Sequence, residues 1–293
     1  MSGKAAHGIL WQPHYMWLFN GVLVLLPLFW FVLILPVVVA APFRRRRITL
    51  LSAFPLTGLL LLMGGARTLV SPETACEVAP TLRVATANVL MSNDRLPDLA
   101  QDILDRSPDV VVFEELRYDL ASFSPELASA YPYRLSTDTP WLTLASRAPL
   151  ENARRLTLEV NAPGREPLAA EVQIGEHRVT ILAVHAQPPL SASTYQLHQQ
   201  QFARLVSETK ASAGTVIALG DFNATIFSPA FARLVLSTGL RVASDGQPTH
   251  YPRKHVGLRI DHVLVRGAQA CREQVFDLTG SDHRGVAVDV RLG

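Results

Sequence analysis

The chain is predicted to fold as α/β, a domain of mixed β-sheets and helices behind an apolar N-terminal segment. Three observations predict this. From Leu82 onward, short runs of branched apolar residues alternate with stretches of helical periodicity. Residues 1–70 contain no Asp or Glu and hold two long uncharged runs. Several of the strand-like runs end in acid, amide or imidazole residues, where a core would not place them.

The run from Met16 to Phe43 carries no charge. A bilayer core of about 30 Å needs roughly 20 apolar residues in a helix, so residues 16–41 are predicted to span a membrane, with Pro27 and Pro36 kinking the helix. Arg44–Arg47 follow, and the uncharged run Ile48–Ala66 predicts a second span over residues 48–66. A cleaved signal peptide would need a basic start and a shorter apolar stretch. Short arginine-rich loops stay cytoplasmic, so the chain reads as a multi-pass cell-membrane protein with residues 71–293 extracytoplasmic. Residues 71–81, with Pro72 and Pro80, read as a linker and residues 82–293 as the catalytic domain. Cys76 and Cys271 both fall in the outer portion, which permits one disulfide between them; two independent thiols are the alternative. Of the 27 basic residues, 21 lie in residues 71–293 against 25 acidic ones, a net charge of −4. That balance lacks the basic excess that sequence-independent DNA binding draws on, and it argues against nucleic acid as the main partner.

Leu82–Leu90 is rich in branched residues and reads as a strand. Leu96, Leu99, Ala100, Ile103 and Leu104 recur at helical spacing, and Pro108 stops that helix. "DVVVFEEL" (109–116) is a buried strand closing on two glutamates. "WLTLASRAPL" (141–150), "RRLTLEV" (154–160), "LAAEVQI" (168–174) and "HRVTILAVHA" (177–186) are four further strands, separated by Pro or Gly and expected to run antiparallel. A helix then carries Tyr195, His198, Phe202 and Leu205 on one face. The strand "TVIALGDFNA" (215–224), a helix from Ser228–Pro229, and the strands "RIDHVLV" (259–265) and "SDHRGVAVDVRL" (281–292) complete the pattern, with no internal repeat.

The polar strand ends are Asn88, Glu114–Glu115, His185, Asp221 with Asn223, Asp261–His262 and Asp282–His283. On an extended chain Asp221 and Asn223 point to one side and Phe222 to the other; an Asx-type turn is the plainer reading of the same three residues. Together these groups suit phosphoester hydrolysis, a reaction slow enough to demand a metal and several donors at once. Asn88 and Glu115 supply hard oxygen ligands suited to Mg²⁺. No cysteine or histidine cluster has the spacing of a structural zinc site. Asp261 can orient the imidazole of His283 against phosphate oxygens, and Asp221 can deprotonate or orient a water that Asn223 helps to hold.

In order and spacing, "ANV", "FEE", "HAQPP", "GDFNA", "RIDHVL" and "SDHRGV" resemble the endonuclease/exonuclease/phosphatase superfamily over Leu82 to Leu292. The resemblance implies a four-layer α/β/β/α sandwich of two packed mixed sheets flanked by helices, with the site at one edge of the sheets. It implies Asn88 and Glu115 as ligands of Mg²⁺, with Mn²⁺ as the alternative ion, and Asp282 beside the metal. It further implies Asp221 as the group that activates water, Asn223 and His185 on the phosphate, and Asp261 orienting His283. Two departures stand out. Glu114 occupies a position where the family commonly has Gln, which would add negative charge beside the metal. His185 stands where DNA-repair members place a tyrosine-containing motif, and is more like the phosphatase and phospholipase branches. A looser likeness is to the membrane-anchored bacterial members of teicoplanin-resistance type. The expected activity is hydrolysis of a phosphate or pyrophosphate ester on a lipid carrier such as undecaprenyl pyrophosphate. A tethered extracytoplasmic nuclease acting on DNA or RNA and a catalytically dead tethered binding module are the competing readings.

Overall fold

A computed structural model describes Leu69, Cys76, Ala79 and residues 81–293 apart from 140, 161, 244, 245, 254 and 255. The two spans predicted over residues 16–41 and 48–66 lie outside the described residues. Among the described residues no helix is long and apolar enough to cross a membrane.

The chain order is β1 (Leu82–Asn88), α1 (Leu96–Leu104), β2 (Val110–Glu114), α2 (Leu120–Phe123), α3 (Pro125–Ala130), β3 (Tyr133–Ser136) and β4 (Leu142–Ser146). It continues through β5 (Leu150–Arg155), β6 (Leu168–Ile174), β7 (His177–His185), α4 (Ala192–Ala211), β8 (Thr215–Asp221) and α5 (Pro229–Thr238). The last elements are β9 (Arg241–Val242), β10 (His250–Arg253), β11 (Val256–Leu258), β12 (Asp261–Arg266), β13 (Ala268–Asp277) and β14 (Arg284–Leu292). One six-stranded sheet has the order β13-β14-β1-β2-β4-β3, the other β5-β6-β7-β8-β12-β9, and β10-β11 form a small hairpin. Both large sheets are mixed: β1 runs parallel to β2 and β7 parallel to β8, while β1–β14 and β8–β12 are antiparallel.

The period-2 alternation of each strand sorts its residues into layers. Inward positions such as Val84, Val110, Val112, Ile181, Ile217, Leu219, Val263 and Val288 form one cluster between the sheets. Outward positions of the second sheet pack under α4 and α5 around Phe202, Phe222, Phe231 and Leu234. Outward positions of the first sheet pack under α1, α2 and α3 around Phe113, Leu99, Ile103 and Leu127. Three apolar interfaces make four layers, the α/β/β/α sandwich expected. Ser191 caps α4 reciprocally with Thr194, which starts the helix cleanly after "QPPL".

Two strand expectations are corrected. The strand read over 154–160 stops at Arg155, and the observed one is Leu150–Arg155. Among the described residues its only neighbour is β6, and Pro167, just before β6, has no N–H with which to extend the ladder; its carbonyl accepts the N–H of Leu156 and the pairing ends there. The four strands over 141–186 are not one antiparallel run: β4 pairs with β2 and β3 in the first sheet, while β5, β6 and β7 form the antiparallel arm of the second.

The segment read as a linker is attached to the domain at the points described. Cys76 is disulfide-bonded to Cys271 of β13, with the Cα atoms 5.1 Å apart. Upstream, Leu69 is buried in the helix-side core of the second sheet and its carbonyl accepts the N–H of Val242 at 3.0 Å.

Candidate active site

The site is built by the last inward position of neighbouring strands. In β2, Val110, Val112 and Glu114 share the inward face, and Glu115 then takes a left-handed conformation (φ 61°) that ends the strand. In β8, Ile217 and Leu219 lead to Asp221 on the same face; in β12, Val263 and Val265 share their face with Asp261. His185 lies opposite Asp221 in the parallel β7–β8 pairing, and Asp261 opposite Asp221 in the β8–β12 pairing. Gly220 makes the approach possible. At φ 142° a Cβ there would lie 1.8 Å from the Val184 carbonyl oxygen, so this rung of the ladder admits only glycine.

Asn88 is the hub of one half. Its amide nitrogen donates to Glu115 Oε1 at 3.2 Å and to Asp221 Oδ2 at 3.3 Å, while its Oδ1 accepts the Leu90 N–H at 3.2 Å. Glu115 Oε2 accepts the N–H of Met91 at 3.3 Å, and His185 Nε2 stands 3.9 Å from Glu115 Oε1. Asp221 Oδ1 accepts the Asn223 N–H at 2.8 Å, with Asn223 at φ 45°. This is the Asx turn, so the turn reading and the site reading of "GDFN" hold together. Phe222 packs the opposite way, fully buried against Phe202, Phe231 and His262. Asn223 donates its side-chain N–H groups to the Ala186 carbonyl (2.9 Å) and Asp221 Oδ2 (3.2 Å). The amide hydrogens that a phosphate contact would use are therefore engaged, leaving its carbonyl oxygen to accept from a water.

The other half is Asp261 and His283, both buried, with His283 Nδ1 at 3.2 and 3.0 Å from the two Asp261 oxygens. Ligand atoms of Asp221, Asp261 and His283 all lie within 4.8 Å of one another. Among the described residues the Asp282 carboxylate clusters with His250 and His283, 3.9 Å from His250 Nδ1. His262, on the outer face of β12, shares Nε2 with the Ala224 carbonyl at 2.9 Å and packs on Phe231, a structural role.

Burial sets the protonation of these groups and their neighbours adjust it. It pushes Asp221 up to about 7, reinforced by Asp261 and moderated by His283. It pushes His185 down to about 4, against Glu115 and with help from Arg165. Burial disfavours a charged His283 too, but Asp261, through charge and hydrogen bond, together with Asp221 and Asp282, outweighs it and raises the imidazole to about 10. Burial likewise opposes ionisation of Asp261, and the His283 partnership reverses this, holding it below the usual carboxylate range. Glu114 goes the other way. Fully buried and beside Asp261 and Asp221, it sits well above the usual range, with the Thr86 hydroxyl (donating at 2.6 Å) and the charge on His283 opposing. Burial thus disfavours the negative charge that Glu114 would add beside the metal, and its Oε1 accepts the Asp221 N–H at 3.3 Å.

Several contributors were not legible from sequence. The Thr249 hydroxyl accepts the N–H of Asp261 at 3.1 Å and the His250 ring lies 4.3 Å from that of His283. Trp141 faces His185 with ring centroids 6.3 Å apart and carries the Arg165 guanidinium 4.7 Å above its indole. Arg165, Thr249 and His250 lie outside the stretches read as strands or helices, with only the polar pair "TH" (249–250) as a signal, and Trp141 opens the strand-like run 141–150 without standing out from its apolar neighbours.

The model of the Endonuclease/Exonuclease/phosphatase family matches residues 85–283. Among solved structures the chain is similar to NExo, a 3′ phosphatase from Neisseria bound to a product DNA hairpin, with TM-score 0.58 and 21% identity over 71% of this chain and 98% of that one. It is similar also to sphingomyelinase C from Streptomyces griseocarneus (TM-score 0.52, 19% identity, 72% and 99% covered). A third is the human Nocturnin catalytic domain with bound sulfate (TM-score 0.58, 17% identity, 74% and 96% covered). No curated protein matches the chain significantly in sequence.

Proposed function

Because the chain belongs to the endonuclease/exonuclease/phosphatase family, we propose that it is a membrane-anchored, Mg²⁺-dependent enzyme that hydrolyses a phosphate or pyrophosphate ester of an envelope lipid, such as undecaprenyl pyrophosphate. At the coarser level the chain is a metal-dependent phosphoric ester hydrolase. The observation that carries the reading is the convergence of Asn88, Glu115, Asp221, Asp261 and His283 at one end of the paired sheets.

The donor set fits a hard divalent cation. Asp221 and Asp261 are buried side by side, and both cysteines are consumed in the disulfide, so every available ligand is oxygen or imidazole. In this reading Glu115 and the second lone pair of Asn88 Oδ1 hold the ion, and Asp282 approaches from the His283 side. When bound, the ion supplies charge neutralisation at the phosphate oxygens. Asp221, poised near neutrality, takes a proton from water as the water oxygen bonds to phosphorus and the bond from phosphorus to the leaving oxygen breaks. Asn223 orients that water through its carbonyl oxygen. His283, held cationic by Asp261, donates toward the phosphate, and neutral His185 supplies a hydrogen bond beside Glu115.

The lipid substrate is supported by the net −4 of residues 71–293 and by the uncharged runs ahead of them. An extracytoplasmic location is supported by the Cys76–Cys271 disulfide, a bond that persists in oxidising compartments. The second reading, a tethered nuclease, draws on the likeness to NExo bound to DNA. The test is phosphate release by the full chain in detergent from undecaprenyl pyrophosphate, with Mg²⁺ and then with EDTA, beside plasmid DNA. Metal-dependent release with DNA intact supports the lipid reading. Cut DNA and untouched lipid replace it with the nuclease.

A further inference from the structure

Against the outer side of Glu115 lies a cavity of about 260 Å³, between the loop after β1 and the loop after β2. Its walls are largely Met91, Leu96, Tyr118 and Phe123, with Arg117 also lining it. Met91 and Tyr118 are 45% and 49% exposed, which makes them two of the few large apolar side chains that the described surface leaves open. The cavity is joined to the site through a shared wall: Glu115 lines it, and the Met91 N–H donates to Glu115 Oε2. A phosphoester held at Glu115 and Asp221 therefore has a largely apolar cavity adjoining it.

We propose that the cavity is a subsite for the hydrocarbon segment next to the scissile phosphate, with Met91 and Tyr118 as its specificity-determining side chains. The inference rests on the lipid reading of the substrate and deepens it. Three observations select hydrocarbon over a nucleobase. Asn93, the amide in the wall, has no N–H left to read a base edge: its Nδ2 donates to the carbonyls of Val89 and Thr279, and its Oδ1 already accepts the Arg95 N–H. The Arg117 guanidinium lies 5.4 Å from the Tyr118 ring centroid, so one face on which a base would stack is covered. Ser92, Asp94 and Glu115 also line the cavity, and its aliphatic and aromatic remainder offers dispersion contact without direction. The volume is small for a complete ligand site and suits one segment of a longer molecule. The bilayer that would present such a chain is near in sequence: Leu69, three residues beyond the predicted span ending at 66, is packed in the domain core, so little slack separates domain from membrane.

The test uses the full chain in detergent micelles, with phosphate release measured from isopentenyl, geranyl and farnesyl pyrophosphate. For the wild type, kcat/KM is expected to rise at least about tenfold from isopentenyl to geranyl as the buried methylenes accumulate, and to flatten toward farnesyl once the cavity is full. In the double variant Met91→Ser with Tyr118→Ser the geranyl-to-isopentenyl ratio is expected to fall to within about twofold of unity. Taking a ratio within each variant cancels micelle partition and any general loss of rate. Leu190→Ser, which changes the most exposed large apolar side chain without touching the cavity, is expected to keep the wild-type ratio. A double variant that keeps the ratio, or a wild type indifferent to chain length, overturns the subsite while leaving the lipid reading in place. DNA cleavage with no release from any prenyl pyrophosphate overturns both. Loss of nucleotide hydrolysis in the double variant with the prenyl series unchanged would assign the cavity to a base instead.

Discussion

The two ends of the inter-sheet layer are made by the same strands under the same alternation, and they reach opposite chemistries. In the middle of the layer the inward positions are Val110, Val112, Ile217, Leu219, Val263 and Val265, fully or nearly buried. One step further along the same strands they are Glu114, Asp221 and Asp261, as buried as the apolar residues behind them. The site is thus not a set of loops laid over a scaffold but the last rung of the scaffold's own ladder. Its side chains inherit their positions from the packing of the core, and the core bears the cost of holding acids away from water.

That comparison is tested most severely at Asp221. Asp221→Ala is expected to lower kcat about a thousandfold or more while the thermal midpoint holds or rises, because one of two adjacent buried carboxylates is gone. Activity and a melting curve on the same sample check both halves; a protein that loses activity only because it unfolds would show that the two ends are not separable. The mirror experiment is Leu219→Ala, two residues earlier on the same face. It is expected to cost about 3 kcal/mol in urea unfolding and to leave activity per folded molecule within about twofold. A smaller effect sharpens the contrast among imidazoles. His198 and His262, behind the second sheet, are pushed by burial down to about 4 and about 3, whereas His283 is raised. A histidine depressed in the folded state stays neutral while the unfolded chain takes up a proton below its ordinary 6.5, so stability is lost as pH falls from about 6.5 toward 4. His198→Leu is expected to flatten that loss by on the order of 2 kcal/mol between pH 7 and pH 4.5, read from unfolding curves at the two pH values. Smallest of all is Glu114→Gln. With ionisation of the carboxyl disfavoured by burial, the change is expected to alter kcat/KM by no more than about threefold, and a larger loss would show that Glu114 ionises in the working enzyme.

Much of this was legible in the sequence, because period and strand ends are local properties. β1, β2, β6, β7, β8, β12 and β14 lie where apolar runs predicted strands, and α1, α4 and α5 where helical spacing or Ser228–Pro229 predicted helices. The pairing of Asp261 with His283 and the shared side of Asp221 and Asn223 were readable too. What escaped depends on partners. The short β3 and the two-residue β9 carry too little pattern to stand out, and β13 is broken by Arg272, Glu273 and Gln274, which alternation alone rejects. Nothing local says that β4 leaves its neighbours for the other sheet, or that Pro167 halts β5 from across the ladder. Protonation was equally hidden: Glu114 reads as a charge in one dimension, and its ionisation is disfavoured only once burial and the neighbouring Asp221 and Asp261 act on it.

The position of β14 has a consequence for how the molecule comes into being. β1 lies between β2, its near neighbour in sequence, and β14, whose Val286 sits opposite Thr86. Cys271 closes on Cys76 across a separation of 195 residues. Contacts that distant are slow to form, and the β1–β14 pairing sits inside its sheet rather than at the margin. A nascent chain emerging N-terminus first carries β1 with one edge open until residues 284–292 are available, and His283 arrives immediately before them. A prematurely terminated copy would therefore be both misfolded and chemically inert. In the proposed mechanism, reactivity therefore arrives together with the strand that closes the open edge of β1.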